Sequence, residues 1–177
     1  LAVRNATIAA EDANFYSHAG IDAKGILRAL YADIKSQNIQ QGGSTITQQL
    51  IKNTLLGKEQ TVKRKIKEVV LAILLESKYS KDEILSLYLN QIPYGSNAYG
   101  IEAAAETYFA TSTKYLTLAE AALLATLPRA PSYYSPYGPH KQELMGRKDT
   151  ILDRMKSIGF ISEKDAESAK KEKLAFE

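Results

Sequence analysis

The sequence predicts an all-α fold. Apolar residues recur at helical spacing through most of the chain, and two capping pairs mark helix starts, Ser80 with Glu83 and Thr117 with Glu120. No segment shows the alternating pattern of a half-buried strand, and there are no internal repeats. With 177 residues, of which 45% are hydrophobic and 24% charged, the chain is predicted to form one globular domain with a substantial core.

The predicted helices are separated by glycines, prolines and polar loops. Gly20 breaks the chain after the first helix, Asp22 can cap the second, and Ser44 is the predicted N-cap of the third. The fourth helix is apolar on nearly every side between Val69 and Leu75, which predicts a place in the middle of the core. In chain order the predicted helices cover about residues 1–16, 22–37, 44–57, 60–79, 80–90, 98–109, 117–127, 141–158 and 162 onward.

Composition excludes several kinds of site. Without cysteine there are no disulfides and no thiolate metal sites, and two histidines cannot build a histidine-rich metal centre. A net charge of +3 fits an anionic substrate or a membrane surface and does not call for nucleic acid. No apolar run approaches the ~20 residues that a membrane-spanning helix needs, and the chain begins with Leu1, so we interpret it as a fragment of a longer protein.

The glycine-led stretch G-G-S-T-I-T-Q-Q-L-I-K-N, residues 42–53, predicts an anion site. The first amides of the helix that it opens, together with the positive end of the helix dipole, can bind a phosphate or a pyrophosphate. Ser44, Gln48 and Lys52 recur every four residues and therefore share one helical face, opposite two apolar residues that anchor the helix. On spacing alone, a capped amphipathic helix with a solvated polar face explains the pattern equally well.

Two glutamates are candidates for chemistry. Glu11 lies among small and apolar residues, surroundings that suit a proton-transferring group, and its spacing from Phe15 and His18 predicts a shared helical face. Glu68 lies where the fourth helix turns from polar to apolar, so it needs a partner, and Arg64 one turn earlier is the nearest. Taken alone, an exposed acid and a structural ion pair explain these two positions.

Five blocks of the sequence carry a family resemblance. They are E-D-x-x-F-x-x-H-x-G from Glu11, G-G-S-T-I-T-Q-Q from Gly42, R-K-x-K-E from Arg64, K-D-E-I-L-S-L-Y-L-N from Lys81 and R-A-P-S-Y-Y-S-P from Arg129. In this order they resemble the family-51 glycosyltransferases, the peptidoglycan glycosyltransferase domain of class A penicillin-binding proteins and their monofunctional relatives. The resemblance implies a lysozyme-like helical fold with a smaller, mobile, membrane-proximal lobe. It also implies one glycosyltransferase domain over residues 1–177, without the N-terminal membrane anchor or any C-terminal transpeptidase domain of the parent protein.

The resemblance implies a reaction and its residues. The reaction polymerises lipid II into β-1,4-linked glycan strands with inversion and releases undecaprenyl diphosphate. Glu11 matches the family's general base. Glu68 matches its second essential glutamate, which assists at the diphosphate directly or through a divalent cation, Mg²⁺ or Mn²⁺. The substrate-binding positions that the resemblance implies are Asp12, Phe15, Ser44, Thr45, Gln48, Gln49, Lys52 and Arg64.

The same resemblance implies partners and a location. The partners are lipid II, the lipid-linked glycan, the membrane surface and other cell-wall synthesis proteins, with no role for nucleic acid. The location is the bacterial cell membrane, with the catalytic domain on its outer face. The apolar stripe over residues 26–34 is then expected at the membrane interface, with high mobility over residues 30–41. Gln60 stands where the family commonly has arginine, so one diphosphate contact is lost or passes to a neighbouring lysine.

Two other functions stay open at this point. A lysozyme-like hydrolase would use Glu11 as an acid to cleave glycan, and a non-catalytic helical module would bind a membrane or nucleic acid. The cationic helix start argues against the hydrolase, because a cleaved glycan has no diphosphate to bind. The weak positive charge argues against nucleic acid.

Overall fold

The structure, a computed structural model, describes residues 1–23, 25, 43–56 and 61–177. These residues are mainly helical, which confirms the predicted all-α class. None of the helices in these ranges is long and apolar enough to cross a membrane. The helices of the described ranges are α1 Ala2–Glu11, α2 Ile46–Leu55, α3 Val62–Glu76, α4 Lys81–Gln91, α5 Ile101–Phe109, α6 Leu118–Leu124, α7 Lys141–Ser157 and α8 Glu163–Lys171, with 3-10 turns at Phe15–Ser17, Thr113–Tyr115 and Leu127–Arg129.

The chain forms two compact units. Unit 1 comprises Leu1–Ala13 and Leu89–Glu177, and unit 2 comprises Asn14–Tyr88. Unit 1 holds α1, α5, α6, α7 and α8, whereas unit 2 holds α2, α3 and most of α4. The single glycosyltransferase domain over residues 1–177 stays a prediction.

The core of unit 1 is built from small residues. Alanines on α1 and α6 face α7 and let the helix axes approach closely, and each buried methyl group contributes on the order of 0.8 kcal/mol. Larger apolar side chains of α7 fill the space between them. This cluster of buried residues contains Ala6, Ala9, Ala10, Ala119, Ala122, Ala125, Ile151, Leu152, Met155 and Ala169.

A short hairpin replaces the loop predicted between α4 and α5. Strands β1 Pro93–Gly95 and β2 Ala98–Tyr99 pair antiparallel, and the two residues of the turn, Ser96 and Asn97, have φ of 49° and 58°. Two consecutive positive φ angles are typical of the tight turns that match the twist of a hairpin. Gly100 follows with φ 82°, where a Cβ would lie 2.6 Å from the carbonyl oxygen of Asn90. The strands are too short for alternation to reveal them in the sequence.

The first helix ends five residues earlier than predicted. α1 stops at Glu11, because Asp12 already has a non-helical backbone with φ −159° and ψ 77°. Phe15 lies in a separate 3-10 turn, and His18 follows it in extended conformation. The predicted helical face shared by Glu11, Phe15 and His18 is therefore wrong. Short polar side chains explain the break, since Asn14 donates to Asp22 over 2.9 Å instead of supporting a helix.

The fourth predicted helix, α3, does not lie in the middle of a core. Only Glu68 and Ala72 are buried along it, while Val62 is 79% and Ile66 60% exposed. The prediction is wrong because an apolar helix is buried only if other helices pack around it, and the sequence of the helix itself does not show how many do. Ala72 is covered by the backbone at Gly20, where a Cβ would lie 3.1 Å from the Ala72 carbonyl.

Several predictions fall on residues that the structure does not describe. Asp22 Oδ1 accepts a hydrogen bond from the Gly25 amide over 2.8 Å, as expected of a capping residue. The rest of the second predicted helix, the apolar stripe over residues 26–34, the mobility over residues 30–41 and Gln60 lie outside the described residues.

Candidate functional site

The start of α2 differs by one residue from the prediction. Thr45, not Ser44, is the N-cap: its Oγ1 accepts from the Gln48 amide over 3.2 Å, and Gln48 Oε1 accepts from the Thr45 amide over 2.9 Å. Thr45 Oγ1 also donates to the Gly20 carbonyl over 2.8 Å. A serine and a threonine in sequence both make good caps, but only Thr45 is followed at the third position by a glutamine that can close the capping box. Since Thr45 is 2% exposed and its only O–H donates to Gly20, its hydroxyl does not fit a direct substrate contact.

This correction predicts different effects for two neighbouring hydroxyls. We expect Thr45→Ala to lower the free energy of unfolding by about 1–2 kcal/mol, because it removes the cap and the bond to Gly20. Ser44→Ala is expected to change it by less than about 0.5 kcal/mol. Urea denaturation of both variants measures the difference. Equal losses for the two would mean that Ser44 shares the capping role.

The polar face predicted on α2 is divided in the structure. Gln48 is buried, with 1% exposure, and its Nε2 is screened from solvent with no hydrogen-bond partner within the described ranges. Lys52 is exposed and forms no ion pair there. Ile46 and Leu50 anchor the other side in the core, as predicted. The helix therefore offers one inward-facing amide donor and one solvent-facing cation.

A buried carboxylate organises the cations beside α2. The Glu68 side chain is 2% exposed, and one oxygen pairs with Arg64 Nη1 over 2.9 Å, which confirms the predicted pair. The other oxygen pairs with Lys65, whose ammonium also donates to Ser44 Oγ over 2.8 Å. Arg64 Nε is buried and without a hydrogen-bond partner in the described part of the chain. Glu68 thus holds two cations and, through Lys65, the hydroxyl of Ser44 in one fixed group.

The residues around Glu68 do not fit a divalent cation. Such an ion takes several oxygen ligands, mostly carboxylates, carbonyls and water. Both oxygens of Glu68 already face cations, and among the described residues there is no group of three or more histidine, cysteine, aspartate or glutamate side chains that could hold a metal. We therefore derive no catalytic step through a metal at this position.

Two further residues predicted to contact the substrate, Phe15 and Gln49, contact other side chains of unit 2. Phe15 is fully buried and packs edge-on against Tyr16, with the ammonium of Lys81 4.5 Å from its ring centre. A ring with no exposed surface offers nothing to a substrate, so a direct contact from Phe15 does not fit this placement. Gln49 is half-buried, and its Oε1 accepts from Tyr88 over 3.1 Å.

The other predicted residues, Glu11 and Asp12, lie in unit 1. Glu11 is the last residue of α1 and is half-buried, while Asp12 is 7% exposed. Two groups of the same unit lie close enough to interact electrostatically with Glu11: the hydroxyl of Tyr94 and the guanidinium of Arg147. Burial raises the pKa of Tyr94 far above its ordinary value, and the charge of Glu11 raises it further. Tyr94 therefore stays a neutral hydroxyl beside the carboxylate at any physiological pH.

The sequence reasoning missed three of these residues. Lys65 stands inside the R-K-x-K-E block, and its i, i+3 spacing from Glu68 could have identified it. Tyr94 and Arg147 had no such signal, because their proximity to Glu11 arises from packing between segments far apart in sequence.

The chain is similar in sequence to a known protein family and to curated proteins. The transglycosylase family profile matches residues 1–156. The chain is 52% identical over 167 residues to penicillin-binding protein 1F of Bacillus subtilis (strain 168), and 49% identical over 167 residues to penicillin-binding protein 1A of Aquifex aeolicus (strain VF5). Each alignment covers 94% of this chain and 23% of the relative, so the chain spans about a quarter of the length of these curated relatives.

A solved structure is also similar. The crystal structure of penicillin-binding protein 1A from Haemophilus influenzae superposes with a TM-score of 0.53 and 32% sequence identity, covering 75% of this chain and 16% of that one. This similarity confirms the predicted lysozyme-like helical class.

Proposed function

Because this chain belongs to the transglycosylase family, the peptidoglycan glycosyltransferases, we propose that it polymerises lipid II into β-1,4-linked glycan strands and releases undecaprenyl diphosphate. The observation that carries the proposal is the cationic group of unit 2, in which buried Glu68 holds Arg64 and Lys65. Negative charge builds on the departing diphosphate, and cations fixed in advance stabilise such a transition state without a cost of reorganisation.

The roles of the residues follow from the reaction. The 4-hydroxyl oxygen of the acceptor sugar attacks C1 of the donor sugar, and the bond from C1 to the phosphate oxygen breaks with its electron pair leaving on the diphosphate. Glu11 accepts the hydroxyl proton as general base. Attack on the face opposite the leaving group inverts the α-linked donor into a β-linked product. The acceptor is held in place by Asp12.

The leaving diphosphate is bound by groups of unit 2. Arg64 offers a guanidinium with an unused buried N–H, and Lys52 offers an exposed ammonium. Gln48 Nε2 is a donor that is buried without a partner in the described ranges, which is costly unless a ligand accepts from it. Lys65 and Ser44 complete the group. Since the leaving group is a stable anion, it needs less help from an acid than the sugar alcohol released in glycan hydrolysis.

The substrate determines the location. A lipid-linked donor resides in a membrane, so the protein works at the membrane surface, on the outer face of the bacterial cell membrane where glycan strands are assembled. Growing lipid-linked glycan and other cell-wall synthesis proteins are the further partners of this proposal.

A turnover assay with lipid II tests the proposal. We expect polymer longer than the starting disaccharide to accumulate together with undecaprenyl diphosphate, with and without added Mg²⁺. Pre-formed glycan incubated under the same conditions is the control, and we expect it to remain intact. Shortening of that glycan would instead indicate a hydrolase, and binding of lipid II without any turnover would indicate a non-catalytic module.

A further inference from the structure

Arg147 is a half-buried cation whose guanidinium is only partly hydrogen-bonded within the described ranges. It lies on α7, and its Nε is screened from solvent without a hydrogen-bond partner in the described part of unit 1. Its Cζ atom lies 5.8 Å from the ring centre of Tyr134. Among the described residues it forms no ion pair. A guanidinium has five N–H donors, and leaving a buried one unused is costly.

The surroundings of Arg147 make its charge unfavourable rather than stabilised. Burial lowers the pKa of Arg147, and the positive charge of Arg129 lowers it further. The negative charge of Glu11 raises the pKa, but this effect is smaller than either of the other two. Guanidinium groups stay charged in proteins, so the cost is paid in folding stability. An anion bound to the Arg147 guanidinium would offset this cost.

The fold directs Arg147 toward the end of α1. Ile151, four residues later on the same face of α7, packs against the alanines of α1, and Arg154 Nη1 donates to the Ala10 carbonyl over 3.4 Å. Glu11 is the residue directly after Ala10, and it lies within electrostatic range of Arg147. The unpaired guanidinium and the general base are thus neighbours within one unit.

We propose that Arg147, with Arg129 beside it, forms an anion subsite of unit 1 that binds an anionic group of the sugar acceptor whose hydroxyl Glu11 deprotonates. This subsite rests on the function proposed above. The bound group is a diphosphate or a carboxylate of the stem peptide, because both present paired oxygens that match the fork of a guanidinium. Binding there orients the acceptor hydroxyl toward Glu11.

Steady-state kinetics of Arg147→Gln test the subsite with two forms of lipid II, one with free stem-peptide carboxylates and one with those carboxylates amidated. We expect KM to rise about tenfold, the scale of one lost charged hydrogen bond, with kcat changed less than about threefold. Lys156→Gln is the matched control, since it removes one half-buried positive charge, paired with Glu163, from the same helix. Arg147→Lys keeps the charge but loses the fork, so we expect KM raised by at least about threefold.

The two substrates and a soluble inhibitor distinguish the bound group. A rise in KM confined to the free-carboxylate lipid II identifies a carboxylate. A rise with both substrates, together with weaker inhibition by farnesyl diphosphate, identifies a diphosphate. KM and inhibition constants of both Arg147 variants within about twofold of the Lys156→Gln control would overturn the subsite.

The function and the subsite fail in different ways. A wild-type protein that makes no polymer contradicts the proposed function, whereas normal polymerisation by wild type and both Arg147 variants contradicts the subsite alone. Equilibrium binding of lipid II to wild type and to Arg147→Gln, measured in parallel, reports on the subsite without turnover. Equal affinities would overturn it, and thermal unfolding verifies that each variant is folded.

Discussion

Replacing Glu11 by glutamine is expected to lower kcat for lipid II polymerisation by a factor on the order of 10³, within the range for losing a general base. Glutamine has the size and hydrogen-bonding reach of glutamate but cannot accept the proton of the attacking hydroxyl. Because glutamine has the same size as the half-buried Glu11 at the end of α1, the melting temperature should stay close to that of the wild type. Product analysis of polymerisation under single-turnover conditions measures the loss of the chemical step.

Glu106→Gln is the matched control for Glu11→Gln. Glu106 is an exposed glutamate of the same unit, on α5, so this variant makes the same chemical change away from Arg147 and Tyr94. We expect it to polymerise at the wild-type rate. If Glu11→Gln also kept more than about a tenth of the wild-type rate, another group would have to accept the proton, and the role given to Glu11 would be wrong.

Local signals in the sequence predicted much of the helical part of the fold. Ser80 with Glu83 forms the predicted capping interactions, and Thr117 with Glu120 closes a complete capping box at the start of α6. Such pairs act over three residues, so the sequence contains all the information they need. The pair of Arg64 with Glu68 was predictable for the same reason, since one helical turn separates the two residues.

Predictions that depended on neighbours distant in sequence were less successful. The apolar residues of α3 were assigned to a core, yet Val62 and Ile66 are mostly exposed. The capping hydroxyl of Thr45 also donates to the Gly20 carbonyl, a contact across 25 positions that the sequence did not reveal. Arg147 was not predicted as a site residue. It comes near Glu11 only because α1 packs against α7, and the two residues are far apart in sequence.

In the candidate site, too, pairs close in sequence were easier to predict than contacts between distant residues. The family resemblance of the blocks named Glu11, Glu68, Lys52 and Arg64, whereas residue types and spacing alone left an exposed acid and a structural ion pair as sufficient explanations. The i, i+3 spacing of Lys65 from Glu68 was a local signal that could have predicted their pairing, whereas the bond from Lys65 to Ser44 joins residues 21 positions apart and has no such signal. Of the two predicted roles of Glu68, action through a divalent cation or action without one, this additional contact favours the second, in which Glu68 anchors cations.

The anchor role of Glu68 predicts a specific pattern in a double-mutant cycle with Arg64. We expect Glu68→Gln to lower kcat/KM by a factor on the order of 10², because Arg64 and Lys65 lose the carboxylate that fixes them for the transition state. Unfolding free energy should fall by about 1–3 kcal/mol, since the buried partner of two cations is removed. Arg64→Gln is expected to lower kcat/KM by a similar factor.

If Glu68 acts through Arg64, the double variant should lose little more activity than the worse single variant, because the second change removes a contact that is already broken. Independent contact of Glu68 with the reacting groups would instead make the two losses multiply. Added Mg²⁺ should change the activity of wild type and Glu68→Gln by the same factor. A Mg²⁺ response present in the wild type and absent from Glu68→Gln would restore the metal-ligand interpretation.

Glu76→Gln separates loss of stability from loss of positioning. Glu76 lies on the same helix as Glu68, its side chain is 7% exposed, and it pairs with Lys81 over 2.7 Å. Breaking this pair should destabilise unit 2 by a comparable 1–3 kcal/mol, on the order expected for a mostly buried ion pair. Neither partner belongs to the cationic group around Glu68, so we expect kcat/KM to change less than about threefold. A loss of activity in Glu76→Gln as large as that in Glu68→Gln would show that loss of stability explains the effect of Glu68.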